Sequence, residues 1–229
     1  MPNANQLDAI HSAIQIENGQ ILIATRDQSL ILFSNKIKNG NFEKIFEIKK
    51  SWPMQAYSPF EIKQNLIGVS WDYDDLEAEE SYEEEEQWEE NHKDDGIYIY
   101  SIDNDKIIEK KILRGTYFGG EYSYVVAEDK LILTKKDGIV LYNLNNYELM
   151  LEFKENDDIY PRIYPFNEKY FILFYIKDTK AKIKLYNINW MENEQTFVIN
   201  SKTEKCDNIF PISNNEYIFD HFIITINEV

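Results

Sequence analysis

Hydrophobic and polar residues alternate along most of this chain, in short runs broken by polar turns. Residues 20–25 (QILIAT) lead through Arg26, Asp27 and Gln28 into 30–34 (LILFS). Residues 130–134 (KLILT) lead through Asp137 and Gly138 into 139–144 (IVLYNL), and 169–176 (KYFILFYI) through Asp178 and Thr179 into 182–188 (KIKLYNI). Each reads as strand, tight turn, strand, which is the pattern of a β-hairpin. Outside one acidic segment no apolar stripe falls at helical spacing, so the chain reads as all-β.

The hairpins recur. The second strand of each unit begins near Gln20, Asn65, Lys130, Lys169 and Glu216, at spacings of 45, 65, 39 and 47 residues. Without the 24-residue acidic stretch 72–95, the long spacing becomes 41. A period of roughly 40–45 residues is that of a four-stranded propeller blade. A further strand is expected before each hairpin, at 12–16, 57–62, 122–127, 160–166 and 208–212. A fourth is expected after four of them, at 42–48, 106–113, 147–153 and 195–199; the fifth unit stops after 222–227.

Two features of residues 131–144 (LILTKKDGIVLYNL) repeat from unit to unit. An aspartate sits at the turn before the third strand: Asp27, Asp95, Asp137, Asp178 and Asp220. An aromatic followed by a small polar residue ends that strand: Phe33-Ser34, Tyr100-Ser101, Tyr142-Asn143 and Tyr186-Asn187, with Ile226-Asn227 in the fifth unit. This pattern resembles a degenerate WD40 repeat. The Gly-His pair that precedes the first strand in that family is absent, although His11-Ser12 could stand for its second half. The resemblance implies a single β-propeller domain over 1–229, of about five four-stranded blades, in which the turn aspartates are structural. Another β meander or a sandwich is the alternative. A ring must close, and stacked blades bury what a lone blade cannot. The polar stretch 3–10 is a poor candidate for the missing fourth strand of the last unit.

Charge sharpens the picture. Of the net −17, the stretch 72–95 carries −13, from fourteen Asp or Glu against one Lys, so the remaining 205 residues are only mildly acidic. Neither part offers the basic patch that nucleic acid requires. No run approaches the length of a membrane span, and the first ten residues lack the features of a secretory signal. The single cysteine, Cys206, rules out an internal disulfide and any multi-cysteine metal site, so a reducing, cytoplasmic setting is the simplest reading.

The acidic insertion falls between the second and third strands of the second unit. The resemblance places that connection on the face most often used for binding. Blocks of like charge are commonly solvated loops. Here the carboxylates Asp72, Asp74, Asp75, Glu77, Glu79, Glu80, Glu83, Glu84, Glu85, Glu86, Glu89 and Glu90 are interleaved with Trp71, Tyr82 and Trp88. Carboxylates steer a basic protein and aromatic rings anchor it, so a basic protein partner is expected there. The EF-hand pattern is missing and no metal or cofactor is expected. His11, His92 and His221 form no zinc motif, no nucleophile elbow or phosphate loop is present, and no enzyme is expected. The alternatives are a glycan- or small-ligand-binding propeller and, less strongly, a carboxylate hydrolase. The first of these would use aromatics near the first strands, Trp52, Tyr57, Tyr117, Phe118, Tyr122, Tyr160 and Tyr164, whose plainer role is core packing.

Overall fold

A computed structural model describes residues 10–25, 28–38, 41–50, 54–73, 92–115, 117, 124–127, 129–154, 161–166, 169–177, 180–188, 193–200, 209–211, 216–219 and 222–225. Nineteen strands are found among them. The first sheet holds β1 (Ile10–Gln15), β2 (Ile21–Thr25), β3 (Ser29–Lys38) and β4 (Asn41–Lys49). The second holds β5 (Met54–Lys63), β6 (Leu66–Tyr73), β7 (Gly96–Asp103) and β8 (Lys106–Arg114). The third holds β9 (Tyr124–Ala127), β10 (Lys130–Lys135), β11 (Gly138–Asn143) and β12 (Leu149–Lys154). The fourth holds β13 (Arg162–Pro165), β14 (Tyr170–Lys177), β15 (Lys180–Asn187) and β16 (Asn193–Asn200). The fifth holds β17 (Ile209–Pro211), β18 (Glu216–Phe219) and β19 (Phe222–Thr225).

Every sheet is a meander in chain order, antiparallel throughout. The protein is therefore all-β, built from five consecutive meanders, four of them four-stranded among the described residues. Of the stretch 3–10, the poor candidate for a closing strand, residues 3–9 lie outside the described residues and Ile10 begins β1.

The meanders share details that the hydrophobic pattern alone does not reveal. In each of the first four, the pairing of third and fourth strands slips at the repeated aromatic. That aromatic lies one residue before the end of β11 and β15 but, contrary to the expectation that it ends the strand, inside β3 and β7, which run on to Lys38 and Asp103. The slip falls between Leu32 and Phe33, Ile99 and Tyr100, Leu141 and Tyr142, and Leu185 and Tyr186. Such a bulge bends the strand and increases its twist. Two residues further on, a backbone bond returns to the start of the hairpin in three sheets: Ile102 N–H to Asn65, Leu144 to Asp129, and Ile188 to Lys169, at 2.6–2.8 Å. At the other end of the hairpin, Gly96 and Gly138 open the third strands. A Cβ at either position would collide with a fourth-strand carbonyl, that of Leu113 or Phe153, so no side chain fits.

The chain divides into two compact units, 1–121 and 122–229. In the first, Leu22, Ala24, Leu30 and Leu32 of the first sheet share a core with Ala56, Val69, Trp71, Tyr98 and Tyr100 of the second. In the second, Ile132, Ile139 and Leu141 of the third sheet join Ile163, Phe171, Leu173 and Tyr175 of the fourth. Strand β14 is apolar at successive positions because both its faces are buried: Phe171, Leu173 and Tyr175 face that core, and Ile172 and Phe174 belong to a separate cluster with Ala181, Ile183 and Leu185. Each fully buried aliphatic side chain contributes roughly 1.5–3 kcal/mol.

Candidate functional site

The acidic insertion joins β6 to β7, the second and third strands of the second sheet. Most of the residues expected to face a partner, Asp74, Asp75, Glu77, Glu79, Glu80, Tyr82, Glu83, Glu84, Glu85, Glu86, Trp88, Glu89 and Glu90, lie outside the described residues. The same holds for the turn residues Asp27, Asp178 and Asp220, for His221 and Cys206, and for the aromatics Trp52, Phe118, Tyr122 and Tyr160. What is described is the root of the insertion, where β6 ends and β7 begins.

Strand β6 runs to Tyr73, so Trp71 and Asp72 are strand residues and not loop residues. Trp71 is fully buried, packed edge-on against Tyr98 with ring centroids 6.3 Å apart. The expectation that it anchors a partner is corrected: its indole is already spent on the protein's own core. Tyr73 is half-buried, with its ring 5.3 Å from the His92 imidazole.

The aspartate expected to be structural holds this root together. Asp95 is buried. Its Oδ1 accepts the Tyr73 N–H at 2.8 Å, and its Oδ2 meets His92 Nδ1 at 2.5 Å. Its own N–H donates to the His92 carbonyl, and its carbonyl accepts the Gly115 N–H. One side chain thus ties the end of β6 to the turn that opens β7. Asp137, its counterpart in the third sheet, sits in the β10–β11 turn with its side chain one-third exposed, 3.8 Å from Lys154 Nζ. Equivalent positions in the repeat therefore do different work.

The period of two puts Ser70 and Asp72 on the same face of β6, opposite Trp71. Ser70 Oγ donates to Asp72 Oδ2 at 2.8 Å, while Asp72 Oδ1 is buried with no hydrogen-bond partner among the described residues. Burial, aided by the neighbouring Asp95 carboxylate, pushes the Asp72 carboxyl up to about 7; the Ser70 hydroxyl and His92 pull the other way. Across the strand pair lies Gln55, whose Oε1 meets His11 Nε2 at 3.0 Å and accepts the Tyr57 hydroxyl at 3.1 Å. Polar groups thus concentrate on this face of the second sheet.

On the opposite face the Lys50 ammonium, just beyond β4, lies over the Tyr98 ring at 3.1 Å and over Trp71 at 4.8 Å. Burial lowers the Lys50 amine to about 8, partly offset by Glu109 and Asp94. Arg114 donates to Asp94 Oδ1 at 2.7 Å and to the Lys93 carbonyl at 3.2 Å. Both side chains of the Arg114–Asp94 pair are half exposed, so the pair adds little stability.

Neither Lys50 nor the pairing of Ser70 with Asp72 was read from the sequence, where Asp72 counted only as a partner-facing carboxylate. The signal for the second was present: polar residues at alternate positions of an otherwise apolar strand. Lys50 gave no signal, because its aromatic partners, Trp71 and Tyr98, lie further along the chain in another sheet.

A groove of about 880 Å³ lies at the other end of these strands, among the turns that join β1 to β2, β5 to β6 and β7 to β8. Its wall is braced across the two sheets. Buried Gln20 donates to Asp105 at 2.8 Å, Asn18 donates to Gln20 and Asn65, and Asn35 donates to the Asn18 carbonyl. Asn65, Asn104 and Asp105 hold the left-handed backbone that Asn and Asp tolerate. Of the aromatics considered for ligand binding, the three among the described residues do not line this groove: Tyr117 and Tyr164 are buried, and Tyr57 packs on His11.

Among the described residues no group of three or more His, Cys, Asp or Glu is placed to hold a metal ion. No helix there is long and apolar enough to cross a membrane. No protein-family model matches the chain, and no curated protein sequence matches it.

Proposed function

We propose that the five meanders are the blades of one WD40-like β-propeller, and that the protein is a non-catalytic, cytoplasmic interaction module. In this reading the acidic segment binds a basic protein surface, in an adaptor or an inhibitor-type role. The repeated bulge at Phe33, Tyr100, Tyr142 and Tyr186 is the observation that supports a repeat architecture. The placement of the −13 segment on a firmly tied strand end supports the binding role. A tied root limits the chain entropy lost on binding, and concentrated charge speeds encounter with a cationic surface.

The test is capture from lysate of the source organism at physiological salt. The full chain is compared with a variant in which residues 74–91 are replaced by a short Gly-containing turn, leaving Asp72 and Asp95 in place. A basic protein held by the full chain and lost by the variant supports the reading. Equal capture by both forms contradicts it.

The groove favours a second reading, binding of a small polar ligand, because carboxamides and carboxylates line a preformed cleft. A glycan array checks it: a hit retained by the 74–91 variant and lost in Asn104→Ala assigns ligand binding to the groove.

A further inference from the structure

We infer that Ser70, Asp72, His92 and Asp95 form a proton-sensitive clamp that joins the ends of β6 and β7 when Asp72 is protonated and loosens when it ionises. The inference concerns the protein's own strand ends and stands whether or not the acidic segment binds a basic protein.

The geometry carries it. Asp95 already supports two bonds, to the Tyr73 N–H and to His92, and so acts as the acceptor that ties one strand end to the other. Asp72 lies one residue before Tyr73 and has a buried oxygen with no partner among the described residues. A neutral carboxyl with one free oxygen is tolerable in such a site. A carboxylate there is charged, incompletely hydrogen-bonded and near a second carboxylate, which is the costly arrangement. The cheapest relief is to part the two strand ends, which exposes Asp72 to water and gives up the Tyr73–Asp95 bond.

The groups around Asp72 bias the switch in known directions. Ser70, on the same strand, bonds Asp72 and favours its ionised form, as does His92 from the turn before β7, while Asp95 opposes ionisation. From β5 the facing group is Gln55, which does not titrate, with His11 and Tyr57 bonded to its Oε1. Lys50, Asp94 and Arg114 belong to the cluster on the Trp71–Tyr98 face, away from Asp72. The titration of Asp72 supports the inference, since its carboxyl is moved up to about 7, where modest changes of pH alter its charge.

The test uses hydrogen exchange of the Tyr73 backbone amide in the full chain, corrected for the intrinsic pH dependence of exchange. Protection is expected to fall by about tenfold or more between pH 5.5 and 8.5, and to stay level in Asp72→Asn. Equal protection at the two pH values, or the same fall in Asp72→Asn, overturns the clamp. The Asp72 carboxyl carbon, followed by NMR in the unmodified protein, gives a measurement that needs no variant. A midpoint near neutrality is expected, moving upward in Ser70→Ala because the bond that favours the ionised form is lost; a midpoint in the ordinary aspartate range overturns it.

Discussion

At the scale of single residues, the root of the acidic insertion shows how burial redirects ordinary side chains. Asp72 is the clearest case. Its carboxyl is raised from an ordinary 3.8 to about 7, chiefly by burial. The folded state therefore holds a proton that the unfolded chain has released, and the stability this group supplies is full below about pH 4 and lost as the pH rises to about 7. Asp72→Asn keeps the shape and removes the charge. Chemical denaturation should show the variant gaining on the parent between pH 4 and 7, by an amount on the order of a few kcal/mol, and holding that gain above pH 7. A constant difference across that range would contradict the account. Lys50 offers a second check. With its amine lowered to about 8, it should acylate with a pH midpoint well below that of the exposed lysines when labelling is followed by mass spectrometry. A midpoint shared with the exposed lysines would show that the aromatic rings beneath it outweigh burial.

At the scale of elements, each of the first four meanders combines strand propensity with a bulge in the pairing of its third and fourth strands. The alternating runs made the strands legible in the sequence, together with their order and the place of the insertion between β6 and β7. The bulge was legible only in disguise. The aromatic-polar pairs at Phe33, Tyr100, Tyr142 and Tyr186 were recognised as a motif, and the structure shows that the aromatic sits where the pairing slips. What could not be read was which face of a strand end is already covered. Trp71 follows the same alternation as its neighbours, and its place in the core depends on Leu22, Leu30 and Ala56 from distant runs. Trp71→Phe should cost stability and leave partner binding unchanged. Iodide should leave the Trp71 component of the fluorescence unquenched, since the ring is fully buried. The close approach of fourth-strand carbonyls to Gly96 and Gly138 gives a further expectation. Gly96→Ala or Gly138→Ala should each destabilise by roughly 1–3 kcal/mol through overpacking, measured as a drop in denaturation midpoint.

At the scale of the whole molecule, charge and fold are separable. The buried residues described lie in the first four meanders, and most of the net −17 belongs to one insertion between two strands. That separation was visible in the sequence, because the charge run interrupts a repeat whose period is restored when it is removed. The division of labour inside the run was not visible. Asp72 and Asp95 count as acidic residues in the sequence yet serve the strand ends in the structure, so the proposed binding role falls to residues 74–91. The central claim is that this part carries the binding. It is tested most directly by titrating the captured basic protein, by calorimetry, against the full chain and the 74–91 replacement at low and physiological salt. The account predicts an affinity for the full chain that falls steeply with salt, and a loss of about tenfold or more in the replacement at physiological salt. Equal affinities for the two forms, with no salt dependence, would contradict it.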